Sequence, residues 1–248
     1  MGLMMTTVVL LGGLMAYGPT RKLVIPPLPP AERVEAARKR TEDGLRARCA
    51  ALNVDYPPKA IFFRAYKEER EVEIWVGNQA RGKLQKFGTY AVAGASGTVG
   101  PKRKEGDRQV PEGCYDIVLF NPASRFHLSL RVGYPNEADR VWADAERPGG
   151  DIMIHGDTRS IGCLAMTDEK IEEIYTLAFA VTRGKKFPVF IYPARLSPKN
   201  LSRLKAEWLD RKAWHELWDD LAAIDGAFNA TQTIPKVDVV KGRYRLKS

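Results

Sequence analysis

Cysteine and histidine are both scarce in this chain of 248 residues, with three of each. Three cysteines, Cys49, Cys114 and Cys163, are too few for a disulfide scaffold. The sequence leaves two readings of Cys49 and Cys114 open, a pair or two isolated buried thiols. His127, His155 and Cys163 include no ligand pair at the tight spacing of a zinc site, so no metal and no cofactor is expected. The 39 basic residues outnumber the 30 acidic ones, yet they are dispersed among acids. No run resembles a nucleic-acid arm and the aromatics follow no RNA-binding pattern, which argues against a nucleic-acid partner. The glycine-rich stretch Gly94 to Gly106 lacks the G-K-[ST] ending and the following helix of a phosphate cradle. It reads instead as a mobile loop. No internal repeat is evident.

A long apolar run occurs only at the start, where Met1 to Tyr17 is uncharged. It is marginal for a bilayer span and suits a signal-peptide core or short anchor, although a positively charged segment before it is missing. Residues 1–19 are therefore assigned to export. Thr20 to Pro30, with four prolines in its last five residues, reads as a stiff spacer. Ala31 to Leu52 has apolar residues at three- and four-residue steps and predicts an amphipathic helix, so 20–58 is taken as spacer plus N-terminal helix.

From Ala60 the period becomes strand-like. Ile61–Tyr66 and Glu71–Val76 flank a charged turn and predict a hairpin. Leu84–Ala93, Tyr115–Phe120, Arg125–Val132 and Phe187–Tyr192 are further strands. On the strand from Arg125, alternation turns His127 away from Phe126 and Leu128. Asn136 to Gly150 reads as a polar loop over the site. Thr167 is the expected N-cap of a helix whose apolar face is Ile171, Ile174, Ala178 and Val181, ended by Gly184. Two more helical stretches follow Ser197-Pro198, their tryptophans read as core. The tail from Gly226 reads as loose. Strands in the middle and helices at the ends predict an α+β chain with a mixed, mostly β core.

What is present for chemistry lies between Asp151 and Met166. A short apolar strand, Ile152-Met153-Ile154, breaks at His155-Gly156, and a polar loop leads to Gly162-Cys163. A thiol beside glycine, eight residues after a histidine, is a cysteine-nucleophile constellation. The imidazole takes the thiol proton, and the glycine lets backbone N–H groups approach an oxyanion. No acidic residue stands in an obvious triad position, Asp157 being the only close one, so a carbonyl near Gly156 is expected to orient the imidazole.

The run I-M-I-H-G-D-x-x-S-x-G-C-x-A-M-T-D from Ile152 resembles the L,D-transpeptidase catalytic (YkuD-like) domain family, and its YafK-type branch in particular. Glu105 to Tyr115 resembles that branch's G-D-x-x-T-P-E-G-x-Y turn. Ser124 to Leu130, S-R-F-H-L-S-L, followed by Gly133-Tyr134-Pro135-Asn136, resembles a third motif. The likeness spans roughly Ala60 to Ala194. It departs at Ile161, where the wider family usually has a second histidine, and at Val110, where the turn often has threonine.

The resemblance implies a YkuD-like β-sandwich over 59–195, with 196–248 a helical extension and tail. It implies Cys163 as nucleophile and His155 as base, with Gly156 beside the base and Gly162 and Cys163 as oxyanion donors. His127 is a candidate for the role of the histidine absent at Ile161. Arg159, Ser160 and Arg125 are candidates to face a substrate carboxylate. The implied activity is acyl transfer on peptidoglycan stem peptides by a monomeric, exported protein of the periplasm or envelope, its positive charge suiting an anionic wall. A hydrolase of the same fold, a carboxypeptidase or an amidase releasing a wall-linked lipoprotein, and a non-catalytic wall-binding module stay open.

Overall fold

A computed structural model describes residues 28–247. The export segment expected at 1–19 lies outside them. Among the described residues no helix is long and apolar enough to cross a membrane.

The first helix, α1 (Pro30–Ala51), carries Ala37, Leu45 and Cys49 into the core. The predicted hairpin follows as β1 (Ala60–Tyr66) and β2 (Glu71–Gly77), antiparallel from Ala60↔Gly77 to Tyr66↔Glu71. Every residue of β1 is buried, because the strand is covered on both faces, and such strands lose the polar alternation of a half-solvated one. Ile61, Phe63 and Ala65 enter the larger core beneath α1. Phe62 and Tyr66 enter a second core with tryptophan and phenylalanine from the C-terminal helices.

The remaining elements in chain order are β3 (Gln85–Ala91), β4 (Gly113–Asn121), β5 (Ser129–Val132), α2 (Glu137–Trp142), β6 (Met153–His155) and β7 (Leu164–Ala165). They continue with α3 (Asp168–Thr182), β8 (Phe187–Tyr192), α4 (Pro198–Glu207), α5 (Lys212–Thr231), β9 (Val237–Val240) and β10 (Arg243–Leu246). One mixed sheet runs in the order β3-β2-β1-β8-β4-β5-β6-β7, while β9 and β10 form a separate hairpin. The pairs β1–β8 and β6–β7 are parallel and the others antiparallel. Gly94, just past β3, bridges Ala165 of β7, so the two ends of the sheet meet and it curls on itself. Only glycine serves at that seam: a Cβ on Gly94 would sit 1.9 Å from the Thr158 carbonyl oxygen. The fold is α+β, as expected.

Several local readings are corrected. The tail from Gly226 is ordered: α5 continues to Thr231 and the β9–β10 hairpin follows. Lys241 (φ 51°) and Gly242 (φ 76°) form its two-residue turn, the left-handed pair that tight hairpins require. Arg243 then binds Asp220 of α5 at 2.7 and 2.8 Å. The strand expected from Arg125 starts only at Ser129, and Asn136–Gly150 contains α2, closed by a reciprocal capping box between Asn136 and Asp139. Thr167 precedes α3 but makes no side-chain cap, its backbone standing at φ 79°.

The Gly94–Gly106 loop, expected to be mobile, is tied to its surroundings by hydrogen bonds. Buried Lys67 donates to the carbonyls of Gly100 (2.6 Å) and Val110 (2.8 Å) and to Glu112 (3.0 Å). Glu112 in turn accepts the Gly100 N–H and the Trp218 indole N–H of α5. The loop is also joined to the segment after α2, where Glu105 N–H donates to the Arg147 carbonyl and Asp144 N–H to that of Arg103. Charged groups removed from water persist when their donors and acceptors are used in this way.

Candidate active site

The site grows from two very short parallel strands. β6 and β7 pair Ile154↔Leu164 and His155↔Ala165. Parallel neighbours ordinarily need a crossover of a dozen or more residues. Here the whole connection is the loop from Gly156 to Cys163. Left-handed backbone at Asp157 (φ 60°) and Gly162 (φ 103°) turns the chain, and Thr167 N–H donates to the Asp157 carbonyl to close it. Ile154 and Leu164 face the core. Side chains alternate along a strand, so His155 projects from the opposite face of β6, with Cys163, the loop residue just before β7, diagonal to it across the pairing.

The loop is braced by one hydroxyl. Ser160 Oγ accepts the Cys163 N–H at 2.9 Å and donates to the Cys163 carbonyl at 2.6 Å. The expected oxyanion donor at Cys163 is therefore engaged, whereas the Gly162 N–H has no hydrogen-bond partner among the described residues. Cys163 Sγ accepts the Met153 N–H at 3.4 Å and stands 3.7 Å from the Asp151 carbonyl. Burial pushes the thiol up from its ordinary value, and the Met153 N–H opposes that rise.

His155 is buried and its Nδ1 lies 2.5 Å from the Gly156 carbonyl oxygen. A carbonyl can only accept, so Nδ1 carries the proton and Nε2 keeps its lone pair. Burial pushes the imidazole down from its ordinary value, against smaller opposing effects of that carbonyl and of Asp157. A raised thiol beside a depressed imidazole makes the resting pair neutral, thiol plus imidazole.

The other expected residues are dispersed around this pair. Arg159 is exposed and its guanidinium binds Asp157 at 2.6 Å. Together with backbone amides it holds that carboxyl well below the usual range. Arg125 is exposed in the turn before β5. His127 occupies that turn with φ 66°, and its Nε2 meets Glu172 of α3 at 2.7 Å, beside Arg40 of α1. The alternation argument placed His127 on a strand that does not exist there. Cys49 and Cys114 are free thiols in separate packing regions, under α1 and beside the second core. Among the described residues no group of three His, Cys, Asp or Glu is placed to hold a metal.

Two residues beside the pair escaped the sequence reading. Phe126 stacks on the His155 ring, with centroids 4.7 Å apart and planes at 29°. Ser129, directly across the sheet from His155, buries a hydroxyl that has no partner among the described residues. Only the pairing of β5 with β6 brings either one near His155, and no local spacing announces it.

The curled α+β sheet thus carries a carbonyl-held histidine at the end of β6 and a glycine-flanked cysteine just before β7. Residues 61–191 match the model of the YkuD family, the L,D-transpeptidase catalytic domain, and the chain belongs to that family. It is 34% identical over 190 residues to the protein named "Putative L,D-transpeptidase YafK" of Escherichia coli K12, covering 74% of this chain and 72% of the relative. The protein of that name from E. coli O157:H7 matches equally. Among solved structures it is similar to the helical cell shape determining protein Pgp2 from Campylobacter jejuni at 18% identity, a TM-score of 0.45 and 73% coverage of each chain. Bdellovibrio bacteriovorus Bd1075 matches at 23% identity and a TM-score of 0.37, over 66% of this chain and 61% of the other.

Proposed function

We propose that this chain is an envelope enzyme that transfers acyl groups of peptidoglycan stem peptides through a Cys163 acyl-enzyme, with His155 as general base. One observation carries the reading: Nδ1 of His155 is committed to the Gly156 carbonyl, which leaves Nε2 free on the face shared with Cys163. In attack, the Cys163 proton passes to Nε2 as sulfur bonds to the stem-peptide carbonyl carbon. The imidazolium then returns the proton to the leaving amine as the C–N bond breaks. The Gly162 N–H is the backbone donor available to the oxyanion. Transfer to a second stem-peptide amine gives a cross-link and regenerates the thiol; transfer to water gives a trimmed or released peptide. The family and the YafK relatives favour transpeptidation.

Intact-mass measurement with a carbapenem tests the nucleophile. One adduct is expected, located at Cys163 and absent from Cys163→Ala. Modification of Cys49 or Cys114 with Cys163 untouched refutes the assignment. Incubation with purified sacculi, followed by muropeptide mass spectrometry, tests the direction. New 3-3 cross-links or amino-acid exchange are expected. Trimmed peptides alone, lost in Cys163→Ala, make it a hydrolase, and muropeptides unchanged under every condition make it a wall-binding module.

A further inference from the structure

The turn before β5 brings an aromatic ring onto the imidazole. Phe126 is half-buried, lies against buried His155 at 4.7 Å, and has the Arg159 guanidinium 5.8 Å from its own ring centroid. The same turn also grips the backbone next to the base. The Phe126 carbonyl accepts the Gly156 N–H at 3.1 Å, and the Gly156 carbonyl accepts the His155 Nδ1–H. Gly156 permits this approach because a Cβ there would come 2.9 Å from the Phe126 oxygen and 3.0 Å from the His127 Cβ.

The turn is held from three directions. Ser124 Oγ accepts the Phe126 N–H at 3.0 Å. Arg33 of α1 donates to the carbonyls of Pro122 (3.1 Å), Ser124 (2.9 Å) and His127. His127 is pinned to Glu172, which Arg40 also binds. Anchors from α1 and α3 at Pro122, Ser124 and His127 thus leave Phe126 little freedom to leave the imidazole.

We propose that Phe126 is a positioning residue for the acyl transfer: its ring fixes the plane of the His155 imidazole and shields the face it covers from water. The inference rests on the reading of Cys163 and His155 as nucleophile and base. A single Nδ1 bond resists an end-over-end flip of the imidazole but not a tilt about that bond; a stacked ring resists the tilt. Excluding water from one face also disfavours imidazolium, because the charged form loses more hydration than the neutral one. Misplacement of a reacting group by about 1 Å costs on the order of 10²-fold in rate, which sets the expected scale.

The charged and titratable groups around His155 are Asp157, Arg159 and Cys163 of its own loop and Asp168 of α3, which accepts the Asp157 N–H. The His127–Glu172 pair stands beside Phe126, and Arg131 lies further along β5. Of these groups Arg159 stands over the Phe126 ring.

Full-length protein with Phe126→Ala, Phe126→Leu and Phe126→Tyr is compared with the parent in two measurements. Histidine NMR titration reads His155, and carbapenem acylation followed by intact mass reads Cys163. In Phe126→Ala the His155 titration is expected to move up toward the ordinary imidazole range. Its maximal acylation rate should fall about 10- to 100-fold with the half-saturating carbapenem concentration little changed, and Phe126→Tyr should restore both. Should near-ultraviolet dichroism show Phe126→Ala unfolded, Phe126→Leu, which keeps bulk without a ring to stack, carries the same expectation in reduced size. A folded variant with an unmoved His155 titration and parental acylation overturns the role of Phe126. A parent that forms no adduct at all overturns the acyl-transfer reading, and the titration still reports whether the ring shields the imidazole.

Discussion

Two buried groups of ionisable side chains on this sheet are handled in opposite ways. On β1, Arg64 is almost wholly enclosed, yet it binds Glu73 at 2.7 Å, Asp225 at 2.9 Å and Asn229 at 2.7 Å. Glu73 takes further bonds from the Trp75 indole and Arg195. At the end of β6, His155 is buried and Cys163, just before β7, is half-buried; burial pushes the imidazole down and the thiol up, and Nε2 has no partner among the described residues. The first group is saturated and joins β1, β2 and α5. The second has one atom kept open, and an open basic atom on a rigid strand is what a substrate needs. Burial alone therefore does not distinguish the two groups; the unused imidazole nitrogen does.

Removing the open group should have the largest effect. Cys163→Ala is expected to abolish the carbapenem adduct and all change in muropeptides while the melting temperature stays close to the parent. A variant that still processes sacculi would remove the acyl-enzyme from the mechanism. Next in size is His155→Gln, with acylation expected to fall by about 10²- to 10⁴-fold, the range for loss of a general base. The parent's pH profile sharpens this. In the proposed reaction the reactive form is the neutral imidazole, and burial depresses its pKa below the ordinary value near 6.5. Acylation should thus hold at neutral pH and decline only as pH falls through that lowered pKa. In His155→Gln this acidic limb should vanish; a limb that persists belongs to another group.

Breaking the saturated group should instead reduce stability. Arg64→Met leaves Glu73 and Asp225 enclosed without their central cation, and the cost expected is about 3–5 kcal/mol. Denaturant unfolding measures it, while carbapenem acylation at low temperature should remain near parental. A loss below about 1 kcal/mol would mean that Arg195 and Asn229 suffice to hold both carboxylates, against the usual penalty for an unpaired buried charge.

That His155 and Cys163 lie near one another was legible because one short loop joins them, so their nearness needs no tertiary information. The β1–β2 hairpin, α1 and α3 were legible for a similar reason, each having a local period. Anchoring from afar was not. The Gly94–Gly106 loop looks free when read by itself, and its staples are Lys67 and Glu112, one of them on the β1–β2 turn. The β9–β10 hairpin was visible in principle, since V-D-V-V and R-Y-R-L alternate around Lys241-Gly242, but a two-residue turn without asparagine or aspartate was overlooked. His127 was misread because alternation was extended into a turn whose left-handed backbone no strand pattern foretells.

The smallest expected effect tests how rigid the open site must be. Ser160 closes two hydrogen bonds on the Cys163 backbone, and its own hydroxyl occupies the amide that an oxyanion would otherwise use. Ser160→Ala does two things at once: it frees that amide and loosens the loop that sets the direction of Sγ. Were donor supply limiting, acylation would quicken. The neutral resting pair argues otherwise, because proton transfer to Nε2 demands that Sγ be held in line throughout attack. Acylation is therefore expected to slow by about tenfold, the scale of one hydrogen bond. Unfolding free energy should change by about 1 kcal/mol or less, since the loop is partly exposed. Ser160→Thr, which retains the hydroxyl, should recover most of the rate. A faster Ser160→Ala enzyme would show that the Cys163 amide, not the brace, limits the reaction.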